Sequence, residues 1–249
     1  MQHNKTIVMG DIHGEEKWKD IIEKHPDAQY IFLGDYCDPY KREFTTNHII
    51  ENLKNIIELK KSNPENIVLL FGNHDLHYIY PQAPMCSRLM IDATQILSNL
   101  FTENIELFCN AYRKNKLLFT HAGVSEEWLH YTNMGRVENL EQCLNSPNEY
   151  PEIFICGKHR GGSKPYSGIF WADSKEMYNP LEGYIQIVGH SRMQQINIQK
   201  SQDNNTAVIF CDSLWNNNYV IIEEGEKETT IYAASLIEDS PKEILQFYN

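Results

Sequence analysis

The sequence predicts an α/β protein built as a four-layer α/β/β/α sandwich of two mixed sheets. The first third of the 249-residue chain alternates short apolar segments with helical patterns, which indicates parallel strands joined by helices. After Tyr184 the chain is rich in strands separated by turns, which indicates antiparallel neighbours. No linker-like segment interrupts the chain, so residues 1–249 are expected to form a single domain.

The first third reads as βαβαβ. Strands are predicted at residues 6–9, 30–33 and 67–71, with a helix at 15–24 that ends at His25-Pro26. Thr45 or Thr46 can cap a second helix, because a threonine hydroxyl can accept a hydrogen bond from a free amide of the first turn. Ser62-Asn63-Pro64 ends this helix. Its predicted core stripe consists of Ile49, Ile50, Leu53, Ile56 and Ile57.

The remaining elements are predicted with less regular patterns. Residues 76–101 read as helix and loop, residues 105–120 as a hairpin turning at Lys114-Asn115, and residues 125–143 as helix. Residues 147–168 contain prolines and glycines throughout, which predicts a long loop of the kind that often carries function. Later turns are expected at residues 203–205, 216–218 and at Gly225.

Composition excludes several classes of function. The net charge of −12 disfavours stable nucleic-acid binding and association with anionic membranes, both of which need a basic surface. No apolar run approaches the length that spans a bilayer. Six cysteines without a Cys-x-x-Cys pair indicate free thiols in a reducing cytosol, so a cytoplasmic protein is expected. A phosphorylated partner remains compatible, because bound metal ions can outweigh the global charge locally.

Five predicted strands end in a glycine or threonine that is followed by a metal-type ligand. The five segments are Gly10-Asp11-Ile12-His13-Gly14, Gly34-Asp35-Tyr36-Cys37-Asp38, Gly72-Asn73-His74-Asp75, Thr120-His121-Ala122-Gly123 and Gly189-His190. Ligands of open α/β sheets gather beyond the carboxyl ends of the strands, so these side chains are expected to converge. Oxygen and imidazole donors without thiolate favour a hard-to-borderline divalent metal.

The ligand types suggest two metal ions and an acid. One ion is expected on Asp11, His13 and Asp35. The second is expected on Asp35, Asn73, His121 and His190, with Asp35 bridging. Two ions about 3.5–4 Å apart form a clamp for phosphoryl transfer. His74 is the predicted general acid, oriented by Asp38.

The five motifs, in this order, resemble the calcineurin-like metallophosphoesterase superfamily, and more narrowly its phosphoprotein-phosphatase-like branch. The resemblance runs from Gly10 to about Asp212. It implies the metal ligands and the His74–Asp38 pair named above, with two divalent ions, manganese first and iron or zinc as alternatives. One departure is that Asp38 is followed by Pro39 where the branch usually has an arginine that grips phosphate. A second departure is Arg192, which stands where many other members carry a final histidine ligand.

The missing arginine leaves the phosphate contact open. Arg160 lies in a glycine-rich loop and resembles an arginine-glycine segment of this branch, so it is the first candidate. Arg192 is expected to face substrate, and Asn73 to contact substrate as well as metal. Arg42 and Arg88 are expected to be ion-paired surface residues.

The leading hypothesis is a dinuclear phosphohydrolase that cleaves a phosphate ester by attack of a metal-bound hydroxide. Its substrate would be a phosphoprotein, as for a serine/threonine phosphatase, or a small phosphomonoester. The alternative within enzymes is a hydrolase similar to bis(5′-nucleosyl)-tetraphosphatases, with a phosphodiesterase or nuclease third. The alternative of another class is a catalytically weak metal-binding scaffold.

Overall fold

The computed structural model describes residues 4–134, 139–201 and 205–249. The strands in chain order are β1 (Lys5–Met9), β2 (Gln29–Phe32), β3 (Ile67–Leu70), β4 (Phe108–Cys109), β5 (Ala111–Lys114), β6 (Leu117–Thr120), β7 (Ile185–Val188), β8 (Asn197–Lys200), β9 (Ala207–Phe210), β10 (Asn218–Glu224), β11 (Glu228–Ser235) and β12 (Lys242–Tyr248). The α-helices are α1 (Lys17–Lys24), α2 (Thr46–Ser62), α3 (Asn73–Leu76), α4 (Thr94–Thr102), α5 (Glu126–Thr132) and α6 (Leu140–Leu144).

The strands form two mixed sheets, so the predicted fold class is confirmed. The first sheet has the order β12-β11-β10-β1-β2-β3-β4, in which β1 to β4 are parallel and β10 to β12 are antiparallel. The second has the order β5-β6-β7-β9-β8, with β6, β7 and β9 parallel. The predicted βαβαβ start corresponds to β1-α1-β2-α2-β3.

Successive side chains of a strand point to opposite faces of its sheet, so the core is divided between two layers. Ile7 and Met9 of β1 pack with the helices, whereas Val8 packs between the two sheets. Each of these side chains is fully buried, which contributes roughly 1.5–3 kcal/mol per large aliphatic side chain. The predicted stripe of α2 is buried, and the hydroxyl of Thr45 caps the helix by accepting from the amide of His48. A smaller cluster around Met177 and Phe210 covers the outer face of the second sheet.

The predicted hairpin at residues 105–120 is partly wrong. Only β5 and β6 pair as a hairpin, with Asn115 at the turn in a left-handed conformation (φ 56°). β4 instead joins the first sheet beside β3, where the ring of Phe108 stacks on Phe71 at 4.8 Å. The chain therefore crosses from one sheet to the other at Asn110. The side-chain nitrogen of Asn110, Nδ2, donates to the backbone carbonyl of Leu144.

The predicted helix at residues 125–143 is interrupted. α5 starts after the cap Ser125 and ends at Thr132, where Asn133 takes a left-handed conformation (φ 55°), and α6 follows at Leu140. Residues 135–138 of this prediction lie outside the described residues, as do residues 203 and 204 of the predicted turn. Residues 147–168 form the predicted loop, with two short 3-10 turns. Among the described residues, no helix is long and apolar enough to cross a membrane.

Candidate metal centre

The carboxyl ends of the parallel strands bring the predicted ligands together. Asp11 and His13 follow β1, Asp35 follows β2 and Asn73 follows β3 in the first sheet. His121 and His190 follow β6 and β7 of the second sheet. Because the two sheets pack face to face with these ends on the same side, the ligands of both meet in one buried cluster.

Asp35 lies at the centre of the cluster. Its Oδ2 is 3.4 Å from His13 Nε2 and 3.5 Å from His121 Nε2. Asp11 Oδ2 lies 3.9 Å from His13 Nε2. Two groups of side chains have ligand atoms within 4.8 Å of one another, and Asp35 belongs to both. The groups are His13, Asp35 and His74, and Asp11, Asp35 and His121.

Asn73 connects the remaining histidines. Its Oδ1 is 2.8 Å from His121 Nε2 and 2.8 Å from His190 Nδ1. Its amide nitrogen points the other way and donates to Cys86 Sγ at 3.0 Å. The oxygen of Asn73 is thus the atom presented to the cluster, which is the atom a metal ion would use.

The histidines are oriented by backbone carbonyls. His13 Nδ1 is 2.7 Å from the carbonyl oxygen of Cys37, and His121 Nδ1 is 2.7 Å from that of Leu33. Each contact leaves Nε2 directed into the cluster. This pairing of one ring nitrogen with a carbonyl is typical of histidines that bind metal through the other.

Backbone strain is concentrated in the same place. His13, Asp35, Asp38 and His190 all have left-handed conformations, with φ between 43° and 61°. Such conformations cost of order 1 kcal/mol or more each and persist where the surrounding structure demands them. Gly72 allows close approach, because a Cβ there would lie 2.1 Å from Asp35 Oδ1.

Burial shifts the protonation equilibria of the cluster. Burial, together with repulsion from neighbouring carboxylates, raises the pKa values of Asp11 and Asp35 well above the usual range of an aspartate. Burial lowers the pKa of His121 to about 3, and it lowers the pKa of His13 and His190 as well. The imidazoles are therefore neutral, with a lone pair available to a cation.

The donor set fits divalent metal ions. The ion-pair partners of Asp11 and Asp35 in the described part of the chain are histidines, which are neutral here. Bound cations would compensate the buried carboxylates and favour their ionised form. Carboxylate, amide-oxygen and imidazole donors suit manganese, iron or zinc.

His74 and Asp38 lie beside the cluster in hydrogen-bond contact. His74 Nδ1 is 2.7 Å from Asp38 Oδ2, and the Tyr78 hydroxyl donates to Asp38 Oδ1 at 2.5 Å. His77 Nε2 lies 3.0 Å from Asp38 Oδ2 but out of hydrogen-bond alignment. Burial alone would raise the pKa of Asp38, but its contacts with these three side chains lower it overall. Burial lowers the pKa of His74, against the opposing effect of Asp38.

A cavity of about 640 Å³ opens onto the cluster, with Asp11, Asp35, Asn73 and His74 in its wall. Arg160 also lines it; its Nε lies 2.9 Å from Asp173 Oδ2, and its Nη2 donates to Ser191 Oγ at 2.8 Å. Two of its nitrogens are thus engaged by protein groups.

Arg88 and Arg192 lie in two different openings beside the cluster. Arg88 is exposed, as expected, but among the described residues it has no ion pair with a carboxylate; it lines the cavity instead, and its Nη2 lies 3.3 Å from His74 Nε2. Arg192 lies in a neighbouring crevice with Asp11 and His13, sandwiched between the rings of Tyr40 and Trp215.

Two acidic residues were missed by sequence reasoning. Asp212 follows β9, is buried beside Asp11, and has a pKa raised to about 6 by burial. Its position after a strand is the same signal that identified the other ligands, but Cys211 replaces the glycine. Asp75 is fully buried and accepts hydrogen bonds from three backbone amides, those of Gly72, Asp35 and Tyr36.

The two mixed sheets and the histidine–carboxylate cluster at their shared edge define a metal-binding α/β protein. The sequence model of the calcineurin-like phosphoesterase family matches residues 5–222. The chain therefore belongs to the calcineurin-like phosphoesterases, and the family resemblance seen in the sequence motifs is confirmed.

Two solved structures were compared with the chain. A protein serine/threonine phosphatase from Saccharomyces cerevisiae, with similarity to human phosphatase PP5, superposes with a TM-score of 0.52 at 17% identity, over 95% of this chain and 82% of that chain. The phosphoesterase YfcE from E. coli gives a TM-score of 0.45 at 12% identity, over 98% of each chain. At 17% identity, the similarity to the Saccharomyces cerevisiae phosphatase supports the fold alone.

Proposed function

We propose that this protein is a dinuclear metal-dependent phosphohydrolase that cleaves phosphate monoesters. The observation that carries the proposal is the convergence of six candidate ligand side chains in one cluster, beside a cavity that also contains His74. The six are Asp11, His13, Asp35, Asn73, His121 and His190. Membership of the phosphoesterase family supports the reaction class. Asp35 Oδ2 faces His13 Nε2 at 3.4 Å and His121 Nε2 at 3.5 Å, which supports a carboxylate shared between two ions.

Each residue has a distinct role in this proposal. When bound, two divalent cations would polarise the phosphate oxygens and lower the pKa of a coordinated water. Asp38 accepts from His74 Nδ1 at 2.7 Å, which directs Nε2 towards the cavity. His74 in its imidazolium form would then donate the Nε2 proton to the leaving oxygen, so that an alcohol departs rather than an alkoxide.

The neighbours of Asp38 keep it ionised for this purpose. The Tyr78 hydroxyl donates to one of its oxygens and His74 faces the other, and these contacts favour the carboxylate form. An ionised Asp38 stabilises the imidazolium of His74 against burial and the nearby Arg88 charge, which both disfavour it. Phosphate oxygens would be held by Asn73 and Arg160, which both lie in the cavity wall.

Hydrolysis of p-nitrophenyl phosphate tests the proposal. Metal-stripped protein should be inactive, and Mn²⁺ should restore turnover. With an alkyl phosphate such as phosphoserine, whose alkoxide leaving group needs a proton, His74→Ala should lose about 10²–10⁴-fold in kcat at neutral pH without losing Mn²⁺; with p-nitrophenyl phosphate the loss should be smaller. His130→Ala, which removes an exposed histidine of α5, is the matched control and should behave as wild type. Equal turnover of phosphoserine by wild type and His74→Ala would contradict the assigned acid.

A second candidate substrate is a dinucleoside polyphosphate. Its support is that Asp11 borders two openings, the large cavity with Arg88 and Arg160 and a small crevice with Arg192. Phosphates on both sides of the scissile bond could use cations of both openings. A preference for diadenosine tetraphosphate over p-nitrophenyl phosphate by more than about tenfold in kcat/KM would favour this candidate. Absence of turnover with both substrates, despite bound metal, would favour a metal-binding scaffold.

A further inference from the structure

Arg88 has an unusual backbone for its residue type. The described non-glycine residues with positive φ comprise four residues of the metal centre, the turn asparagines 115, 133 and 217, and Arg88 at φ 65°. Asparagine tolerates this conformation because its short side chain bonds locally, whereas arginine gains no such compensation. Strain at a residue of this kind is characteristic of functional sites.

The guanidinium of Arg88 is directed at the proposed catalytic acid. Its Nη2 lies 3.3 Å from His74 Nε2, and its Nε donates to the backbone carbonyl of Asp38 at 3.3 Å. Its Nη1 donates to Ser87 Oγ at 3.2 Å. In the described part of the chain it has no carboxylate partner, so an anion entering the cavity would meet an uncompensated positive charge.

Tyr40 supports this arginine. The Cζ atom of Arg88 lies 3.6 Å from the centre of the Tyr40 ring, and the Cζ atom of Arg192 lies 4.6 Å from the same ring. Tyr40 borders both the large cavity and the crevice that contains Arg192. A guanidinium stacked on an aromatic ring keeps its N–H groups in its own plane, and here Nη1 and Nη2 each retain a second N–H that could bind one oxygen of an anion.

We propose that Arg88 binds the phosphate group of the substrate and that Tyr40 is the positioning residue that aims it. The naming of phosphate as the ligand rests on the proposed function. Tyr40 stands two residues after Asp38, in the segment where the branch that the sequence resembles carries its own arginine. Here an aromatic ring in that segment contacts arginines from two other loops, those that follow α3 and β7.

Binding of inorganic phosphate to Mn²⁺-loaded protein, measured by calorimetry, tests the proposal without turnover. Arg88→Gly should weaken phosphate binding about 10- to 100-fold, because charge-assisted hydrogen bonds to a bidentate anion are lost. The same variant should have an unchanged or higher Tm, because glycine accepts positive φ without strain. Arg88→Lys should be intermediate, since it keeps the charge but not the bidentate geometry.

Tyr40 variants separate positioning from packing. Tyr40→Ala should weaken phosphate binding about 3- to 30-fold, whereas Tyr40→Phe, which keeps the ring, should stay within about twofold of wild type. In a protein that already lacks Arg88 and Arg192, adding Tyr40→Ala should change phosphate binding by less than about twofold. Arg42→Ala, an exposed arginine two residues away, is the control and should bind as wild type.

Distinct results separate this inference from the proposed function. Wild-type phosphate affinity in Arg88→Gly, or a loss in Tyr40→Phe equal to that in Tyr40→Ala, would overturn the inference. Phosphate binding that depends on Arg88 in a protein without hydrolytic activity would support the inference and contradict the proposed function. Absence of phosphate binding to the wild type at millimolar concentration would overturn the inference, even if p-nitrophenyl phosphate is hydrolysed.

Discussion

Asp75 is predicted to hold the metal centre together without touching metal. Its Oδ2 accepts from the amides of Gly72 and Asp35, both at 2.8 Å, and its Oδ1 accepts from the amide of Tyr36 at 2.9 Å. The side chain is fully buried, so water does not replace these bonds. It joins the loop after β2, which carries Asp35, to the loop after β3, which carries Asn73.

The structure gives the relative cost of two substitutions. Asp75→Ala leaves three buried amides without a partner, and at about 1–3 kcal/mol for each unpaired group the loss should be at least about 3 kcal/mol of unfolding free energy. Asp75→Asn can keep its oxygen at the position that serves two of the amides, so it loses one bond. It also removes a carboxylate whose pKa is raised to about 7 by burial, which offsets part of that loss near neutral pH, so this variant should be more stable than Asp75→Ala.

Urea denaturation of the metal-free protein measures both losses. Asp239→Ala, which removes an exposed aspartate, should stay within about 0.5 kcal/mol of wild type. A loss of less than about 1 kcal/mol for Asp75→Ala would refute the reasoning. An Asp75→Asn variant that is less stable than Asp75→Ala would also refute the reasoning. It would show that the introduced side-chain amide destabilises the protein more than the loss of both carboxylate oxygens does.

Two further predictions concern the buried groups of the centre. Cys86→Val should weaken the binding of one of two Mn²⁺ ions by about tenfold, because Cys86 Sγ accepts from the amide nitrogen of Asn73 and so keeps its oxygen facing the ligands. Cys86→Ser, which keeps an acceptor, should lose less; Cys143→Val, at the same 8% exposure, should bind metal as wild type in calorimetry. Asp212→Asn should stabilise the metal-free protein increasingly as the pH rises from about 4 to 7. The folded-state pKa of Asp212, raised to about 6, exceeds the unfolded value near 3.8, so its ionisation over this range favours the unfolded state, by roughly 1–3 kcal/mol.

Opposite outcomes would contradict these predictions separately. Equal affinity for both ions in Cys86→Val and wild type would show that Asn73 is oriented by other contacts. A stability difference between Asp212→Asn and wild type that does not change between pH 4 and pH 7, in thermal or urea unfolding, would show that Asp212 is not penalised by burial.

The convergence of the candidate ligands could be predicted because the order of strands in the sequence determines which side chains lie at the ends of the parallel strands. Parallel strands end on one edge of a sheet, so Asp11, Asp35 and Asn73 had to be neighbours once the strands were identified. The sequence could not predict the sheet that each strand joins. Phe108 shows this, since alternation indicates a strand but its partner is decided by packing against Phe71.

Loop residues were harder to predict for a related reason. Arg88 lies 14 residues after His74, and only the folded path of the intervening loop brings its guanidinium to the imidazole. Tyr40 likewise has no periodic pattern around it that would distinguish rim packing from support of an arginine. Asp75 was read as part of the ligand motif, although its side chain turns towards backbone amides.

The number and spacing of bound Mn²⁺ ions test the central claim most directly. Equilibrium dialysis of the metal-stripped protein should give two ions per chain, and electron paramagnetic resonance should show the exchange coupling expected of ions about 3.5–4 Å apart. Asp35→Ala should weaken both ions, because Asp35 belongs to both ligand groups. A single uncoupled ion in the wild type, or two tightly bound ions in Asp35→Ala, would contradict a dinuclear centre at the strand ends.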